Sequence, residues 1–196
     1  MTDVVAAKTL STKGAVREKV TIPIPEGLTA SYEGITLTIN GPAGQAARKI
    51  AAHGIAVALE DNKVVLQTSR STKKTGKLIN TLKAHIANMV KGCTEGHIYK
   101  LKAVYTHFPL SASVSGKEFI IKNLFGEKVP RKLHVPHGVQ ITVSPAGTEI
   151  SVQGADKEMV AQIAASIEQL TRRSAFDRRV FMDGIYITSK DGKEIK

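Results

Sequence analysis

The chain has no tryptophan, only nine other aromatics (five Phe, four Tyr) and a single cysteine in 196 residues. A lone Cys93 excludes an internal disulfide and any multi-cysteine metal site. A chain without cystines suits a reducing, intracellular compartment. The longest mostly apolar stretch, Ile50–Leu59, is broken by His53 and Gly54 and falls far short of the roughly 20 residues that span a bilayer, so no membrane partner is expected. Met1–Thr12 lacks the basic-then-apolar pattern of an export signal, which disfavours secretion. There is no Asn-x-Ser/Thr acceptor. Acidic residues are also scarce: 17 Asp+Glu stand against 28 Lys+Arg, a net charge of +11. What is present is 42% hydrophobic residues, enough for a packed core, in a length suited to one larger domain or two small ones.

The charge is segregated. From Arg70 to Lys102 the basic residues are Arg70, Lys73, Lys74, Lys77, Lys83, Lys91, Lys100 and Lys102, opposed only by Glu95. A second cluster holds Lys122, Lys128, Arg131 and Lys132, and a third Arg172, Arg173, Arg178 and Arg179. Acids gather elsewhere, as at Asp156, Glu158 and Glu168. One-sided positive charge points to a polyanion, nucleic acid first, because each phosphate met by a Lys or Arg releases a condensed counterion.

Two periodicities alternate along the chain. Val20–Ile24 alternates around Pro23 and suits an edge strand. Ile35–Ile39 alternates strictly, and Asn40–Gly44 supplies turn residues. Ile55–Leu59 and Val64–Thr68 flank a four-residue hairpin signal, Glu60–Lys63. Leu78, Leu82, Ile86 and Met89 then recur at helical spacing, which predicts an amphipathic helix of roughly 20 residues capped by Ser71 or Thr72 and ended by Gly92. Lys73, Lys74 and Lys77 oppose the dipole at its start, a small conflict that suggests they serve a partner.

Strand character returns at Ile98–Tyr105 and Phe119–Ile121, followed by a second hairpin, Val139–Val143 with Glu149–Val152. Val160, Ile163, Ile167 and Leu170 then mark a second helix, with Asp156 and Glu158 at its start and Arg172 and Arg173 at its end. Leu82, Ile86 and Met89 map onto Ile163, Ile167 and Leu170 at an offset of 81, and Ile55–Val57 onto Val139–Ile141 at 84. Equal element order with a small change of offset predicts a duplicated α+β unit: two tandem copies, each a mostly antiparallel sheet packed on one main helix. The expected boundaries are an extension at 1–19, copies at 20–98 and 99–190, and a tail at 191–196.

No catalytic constellation emerges. His134-x-x-His137 lacks a third ligand and contains Pro136, so no metal is expected. Gly41–Lys49 lacks the Gly-Lys-Ser/Thr ending of a phosphate loop and reads as a turn. Asp183-Gly184 likewise reads as a turn, and Cys93 as a small buried residue. No acid–base pair or nucleophile elbow appears, so the chain reads as non-enzymatic and without cofactor. Phe119 and Phe125 are dispersed among aliphatics and read as core rather than as a base-stacking set. That favours docking on the phosphates and shape of a folded RNA.

Four stretches, taken together and in order, resemble one family: Asn80–Gly92 (NTLKAHIANMVKG), Tyr105–Pro109 (YTHFP), Lys122–Lys128 (KNLFGEK) and Arg179–Ile187 (RVFMDGIYI). The chain is similar to the large-ribosomal-subunit proteins numbered six in bacteria and nine in eukaryotes, closer to the archaeal and eukaryotic type, from about Val20 to Lys190. The resemblance implies two copies of a small α+β domain. It implies a structural role in the large subunit, bound to large-subunit rRNA near the factor-binding loop and the stalk base, with neighbouring large-subunit proteins and translation factors nearby. The implied location is the cytoplasmic ribosome, with nuclear passage during assembly if the source is eukaryotic.

Carried over by position, the implied rRNA contacts are Lys73, Lys74 and Lys77 at the helix start, the loop Phe125–Lys128 with Arg131 and Lys132, and Arg178–Gly184. Charge adds Arg70, Lys122, Arg172, Arg173 and Lys190. The family loop usually reads Phe-Leu-Gly-Glu-Lys; here Leu124 and Phe125 are exchanged. Phe176 stands where a basic residue is expected. An RNA-binding or ribosome-assembly protein outside the mature ribosome is the rival reading, and a nucleic-acid enzyme is a third.

Overall fold

A computed structural model describes residues 18–50, 54–60, 62–68, 72–106, 108–174, 177 and 179–195. The chain divides between Glu95 and Gly96 into two compact units. The first runs β1 (Glu18–Pro23), β2 (Thr29–Glu33), β3 (Thr36–Gly41), β4 (Gly44–Lys49), β5 (Ile55–Glu60), β6 (Lys63–Thr68) and α1 (Lys73–Thr94). The second runs β7 (His97–Val104), β8 (Ser111–Ser115), β9 (Glu118–Lys122), a single 3-10 turn (Leu124–Gly126), β10 (Arg131–His134), β11 (Val139–Val143), β12 (Glu149–Gly154), α2 (Lys157–Leu170), β13 (Gly184–Lys190) and β14 (Lys193–Glu194).

Among the described residues every strand pairing is antiparallel, and the sheet orders repeat. The first unit holds β1-β6-β5 and β2-β3-β4; the second holds β7-β12-β11 and β8-β9-β10, with β13 and β14 added beside β7. The expected tandem α+β fold is therefore present, and the duplication extends to register. Val57 faces Leu66 as Ile141 faces Val152, and Leu37 faces Arg48 as Phe119 faces Leu133. The changing offset has a local cause. Between matched pairs the β11–β12 hairpin is two residues longer than the β5–β6 hairpin (Ile141 to Val152 spans 11 residues, Val57 to Leu66 spans 9), while the stretch from β6 to the first buried residue of α1 is five residues longer than the stretch from β12 to the first buried residue of α2. Leu66 to Ile79 spans 13 residues; Val152 to Val160 spans 8.

Each unit has its own core. Leu37, Ile39, Val64, Leu66, Ile79 and Ile86 anchor the first, and Phe119, Ile121, Ile150, Val152, Val160 and Ile167 the second. In α1 the buried positions are Ile79, Ile86, Met89 and Cys93, so Ile79 rather than the half-buried Leu78 heads the apolar stripe. Gly92 does not end α1 but is buried in its last turn; the left-handed residue past the end is Gly96 (φ 80°). Thr72 is the N-cap, in a reciprocal capping box with Thr75, while Ser71 lies outside the described residues. The segment Asn40–Gly44 is a tight hairpin turn between β3 and β4, as expected. Asp183-Gly184 is not a turn: Gly184 opens β13, and Asp183 Oδ1 accepts the Thr106 N–H at 2.7 Å. A Cβ at 184 would sit 3.3 Å from Thr171 Oγ1 and from the Tyr186 hydroxyl, a tight fit that those side chains would have to relieve by a few tenths of an ångström.

The C-terminal hairpin is fastened to β7. His97 is fully buried, and its Nδ1 lies 2.8 Å from Asp191 Oδ2; Asp191 Oδ1 also accepts the Ile98 N–H at 3.1 Å.

Candidate nucleic-acid interface

In the first unit, Lys73, Lys74 and Lys77 project from the first turns of α1, all exposed, with no acidic residue in the first turn to offset them. Their repulsion from the positive end of the helix dipole is tolerated because water solvates each ammonium and the capping box satisfies the Thr72 and Thr75 N–H groups. Arg70 lies outside the described residues. Cys93 is buried, and its thiol donates to the Ile39 carbonyl at 3.2 Å, a packing role.

In the second unit the C-terminal end of α2 is the focus of charge. Arg172 and Arg173 follow the C-cap Thr171 directly, where cations meet the negative end of the helix dipole. Arg173 lies over the Phe125 ring, its guanidinium carbon 5.4 Å from the centroid. Phe125 packs against the core, as expected, but at its margin and only half-buried. With Asn123 and Phe125 both at positive φ, the loop turns Leu124 into the core and leaves Phe125 half-buried beneath the guanidinium. The exchanged order of Leu124 and Phe125 is satisfied in this way.

Arg131, expected at the interface, is engaged within its own unit. Nε and a terminal nitrogen donate to the two Glu127 oxygens at 2.9 and 2.6 Å, while the other terminal nitrogen donates to the carbonyls of Leu170 (2.6 Å) and Arg172 (3.4 Å). The side chain closes the end of α2. The hydrogen bonds from Arg131 hold the Glu127 carboxyl below the usual range, with help from the charges of Arg131 and Arg173 and against the opposing effect of partial burial. Lys132 pairs with Glu118 at 3.1 Å, both about half exposed, a contact of little strength in water. Lys122 ends β9 and Lys128 follows the 3-10 turn, both exposed; Lys190 ends β13, also exposed. Arg179 is exposed in a turn whose N–H bonds to Asp177 Oδ1 at 2.9 Å, and Arg178 lies outside the described residues.

The exposed apolar residues of this region carried no periodic signal. Val180, Phe181 and Met182 stand out from the surface, as do Tyr105, Phe108 and Val129. Phe125, Arg172, Arg173 and Phe181 line one shallow pocket, so the segment before β13 meets the end of α2. The run Val180–Met182, flanked by Arg179 and Asp183, is the one mark in sequence that identifies such a patch. His134 and His137 are exposed, and His137 Nε2 is 3.1 Å from Lys117 Nζ; no group of three His, Cys, Asp or Glu able to hold a metal occurs among the described residues. No helix among them is long and apolar enough to cross a membrane.

The family model for ribosomal protein L6 matches residues 24–96 and again 108–184, one match in each unit. The chain belongs to the ribosomal protein L6 family. This is a family of structural ribosomal components, not of enzymes. Among similar proteins are those named large ribosomal subunit protein uL6 from three archaea. The Ignicoccus hospitalis protein is 43% identical over 87% of this chain and 93% of its own length. The Aeropyrum pernix protein is 41% identical over the same shares, and the Nanoarchaeum equitans protein 40% identical over 90% and 95%. The family-like stretches fall on α1, on the loop after β7, on the 3-10 turn and on the segment leading into β13.

Proposed function

We propose that this L6-family chain is a structural constituent of the large ribosomal subunit that binds large-subunit rRNA near the factor-binding loop and the base of the stalk, beside neighbouring large-subunit proteins and within reach of translation factors. The observation that carries the reading is the L6 match in both units of a chain that also carries exposed cations on each: Lys73, Lys74 and Lys77 in the first, Arg172, Arg173, Lys128 and Arg179 in the second. Lysine and arginine meet phosphates and fix register, while the low aromatic content leaves little for stacking on unpaired bases. Arg131 serves mainly to shape this surface, since its guanidinium is taken up by Glu127 and the carbonyls at the end of α2, whereas Lys132, in a weak exposed pair with Glu118, stays available to phosphate. Two contacts in one chain raise the effective concentration of the second once the first has formed.

The test is to express a tagged full-length chain in an archaeal host and sediment the ribosomes through a high-salt gradient. A constituent of the subunit stays with the large-subunit peak. An assembly factor or free RNA-binding protein leaves it as salt rises, and recovery at the top of the gradient overturns the proposal.

A further inference from the structure

The outward face of the larger sheet in the second unit carries a cationic groove distinct from the end of α2. Along β7, Tyr99, Leu101 and Ala103 point into the core, so Lys100 and Lys102 stand on the opposite face, both exposed. Two residues apart on one strand, their Cα atoms are about 7 Å from each other. Thr142 on β11, Ser144 after it, Ser151 on β12 and Thr188 on β13 join the two lysines around an open groove of about 360 Å³. The Thr188 hydroxyl donates to the Lys100 carbonyl at 3.1 Å, and Ser144 Oγ accepts the Glu149 N–H at 3.1 Å. Among the described residues neither lysine ammonium has a hydrogen bond or ion pair, and neither do the hydroxyls of Thr142 and Ser151. Glu149, directly across from Lys102 in the register, is the one acid in the lining.

The sibling sheet shows that this chemistry is not required by the fold. In the second unit Lys100, Ser151 and Thr142 lie side by side across three strands; the matching row in the first unit is Thr21, Val65 and Ala58. Register and strand order are the same, yet one row is cationic and hydroxylic and the other nearly apolar.

We infer that this groove is a second RNA contact, in which Lys100 and Lys102 meet phosphates of an rRNA strand laid across the sheet and the Thr142 and Ser151 hydroxyls bond to its phosphate or ribose oxygens. The inference rests on the ribosomal reading above. RNA fits better than a protein surface for two reasons. The groove offers no aromatic or methionine anchor of the kind that dominates protein interfaces. Lysine and serine are depleted at protein interfaces but regularly contact RNA backbones.

The test measures binding of the full-length chain to an archaeal large-subunit rRNA transcript as a function of salt, for the wild type and three variants. Lys100→Ala with Lys102→Ala should lower the slope of log affinity against log salt by about 1.4 to 1.8, two phosphates at 0.7 to 0.9 each. Affinity at low salt should fall about tenfold, with the thermal unfolding curve unchanged. Glu149→Gln, which removes the one acidic charge among the described lining residues, should tighten binding a few-fold, an effect a merely structural role would not produce. Arg172→Ala with Arg173→Ala probes the other surface independently. If the lysine pair leaves slope and affinity intact while the arginine pair lowers both, the groove is not an RNA contact and the ribosomal reading stands. Unchanged rRNA binding with lost incorporation into subunits assigns the groove to a neighbouring protein and overturns the inference. If the wild type shows no salt-dependent binding, the ribosomal reading itself fails.

Discussion

The two units share strand order, register and helix placement, yet they close the end of the helix by different means. In the first, the β3–β4 turn reaches α1 with backbone alone: the Ala43 N–H donates to the Cys93 carbonyl at 3.0 Å, and Gly41 lies so close that a Cβ would overlap both that carbonyl and Leu28. In the second, the loop between β9 and β10 is longer, and the end of α2 is closed by the Arg131 side chain instead. The second unit also adds β13 along β7, where the corresponding edge of β1 has no partner strand among the described residues. One copy has the tight backbone joint; the other has a longer loop, an arginine brace and an extra hairpin, and with them its cluster of exposed cations. The difference teaches that duplication preserved what packs and varied what faces outward.

The comparison is broken most severely by removing the residues that are the same in both copies. Ile86→Ala and Ile167→Ala occupy equivalent, fully buried positions, and each should cost about 2–5 kcal/mol. Hydrogen exchange resolved along the chain should show each loss confined first to the unit that carries the substitution. Next in size is Gly41→Ala, which meets a backbone carbonyl and should destabilise the first unit by about 2–3 kcal/mol. The corresponding Asn123→Ala gives up one side-chain bond to the Pro109 carbonyl and a favourable left-handed residue, about 1–2 kcal/mol. Equal losses at Gly41 and Asn123 in urea unfolding would mean that the two joints are not different in kind.

Smaller again is Arg131→Ala, which should cost about 1–2 kcal/mol, as its partly exposed ion pair is discounted for solvent. It should speed exchange around residues 170–173, with no counterpart at the end of α1. The same brace makes a pH signature. Glu127 titrates below the ordinary glutamate range in the folded state. Its stabilising contribution is therefore complete above the unfolded value of about 4.3 and is lost as pH falls through the lower folded value. Exchange at the end of α2, corrected for intrinsic rates, should accelerate only in that acidic window, and Glu127→Gln should abolish the dependence.

Much of this architecture is legible in the residues. Alternation located β3, and the spacing of Ile86, Met89, Ile163 and Ile167 located both helices and their common offset. What escaped had physical reasons. β8 (SASVS) buries only Ala112, and β4 buries only Ala46, so neither offers the repeated apolar side chains by which a strand is recognised. β10 alternates half-buried Arg131 and Leu133 with exposed positions, and its arginine reads as surface charge until its bonds to Glu127 and Leu170 are seen. The cationic residues were all visible as composition. Which of them are already paired depends on contacts between residues up to some 40 positions apart, such as Arg131 with Arg172, and only the fold supplies those. Lys100 and Lys102 belonged to a long basic run; their gathering with Thr142, Ser151 and Thr188 needed the sheet.

The most direct test of the central claim, that the exposed cations of the second unit hold rRNA, is a density map of large subunits carrying this chain. The account predicts phosphates within hydrogen-bond reach of Arg172 and Arg173 and across the sheet from Lys100 and Lys102, with Arg131 still turned inward on Glu127. Those four side chains projecting into solvent, or toward acidic protein alone, would contradict it.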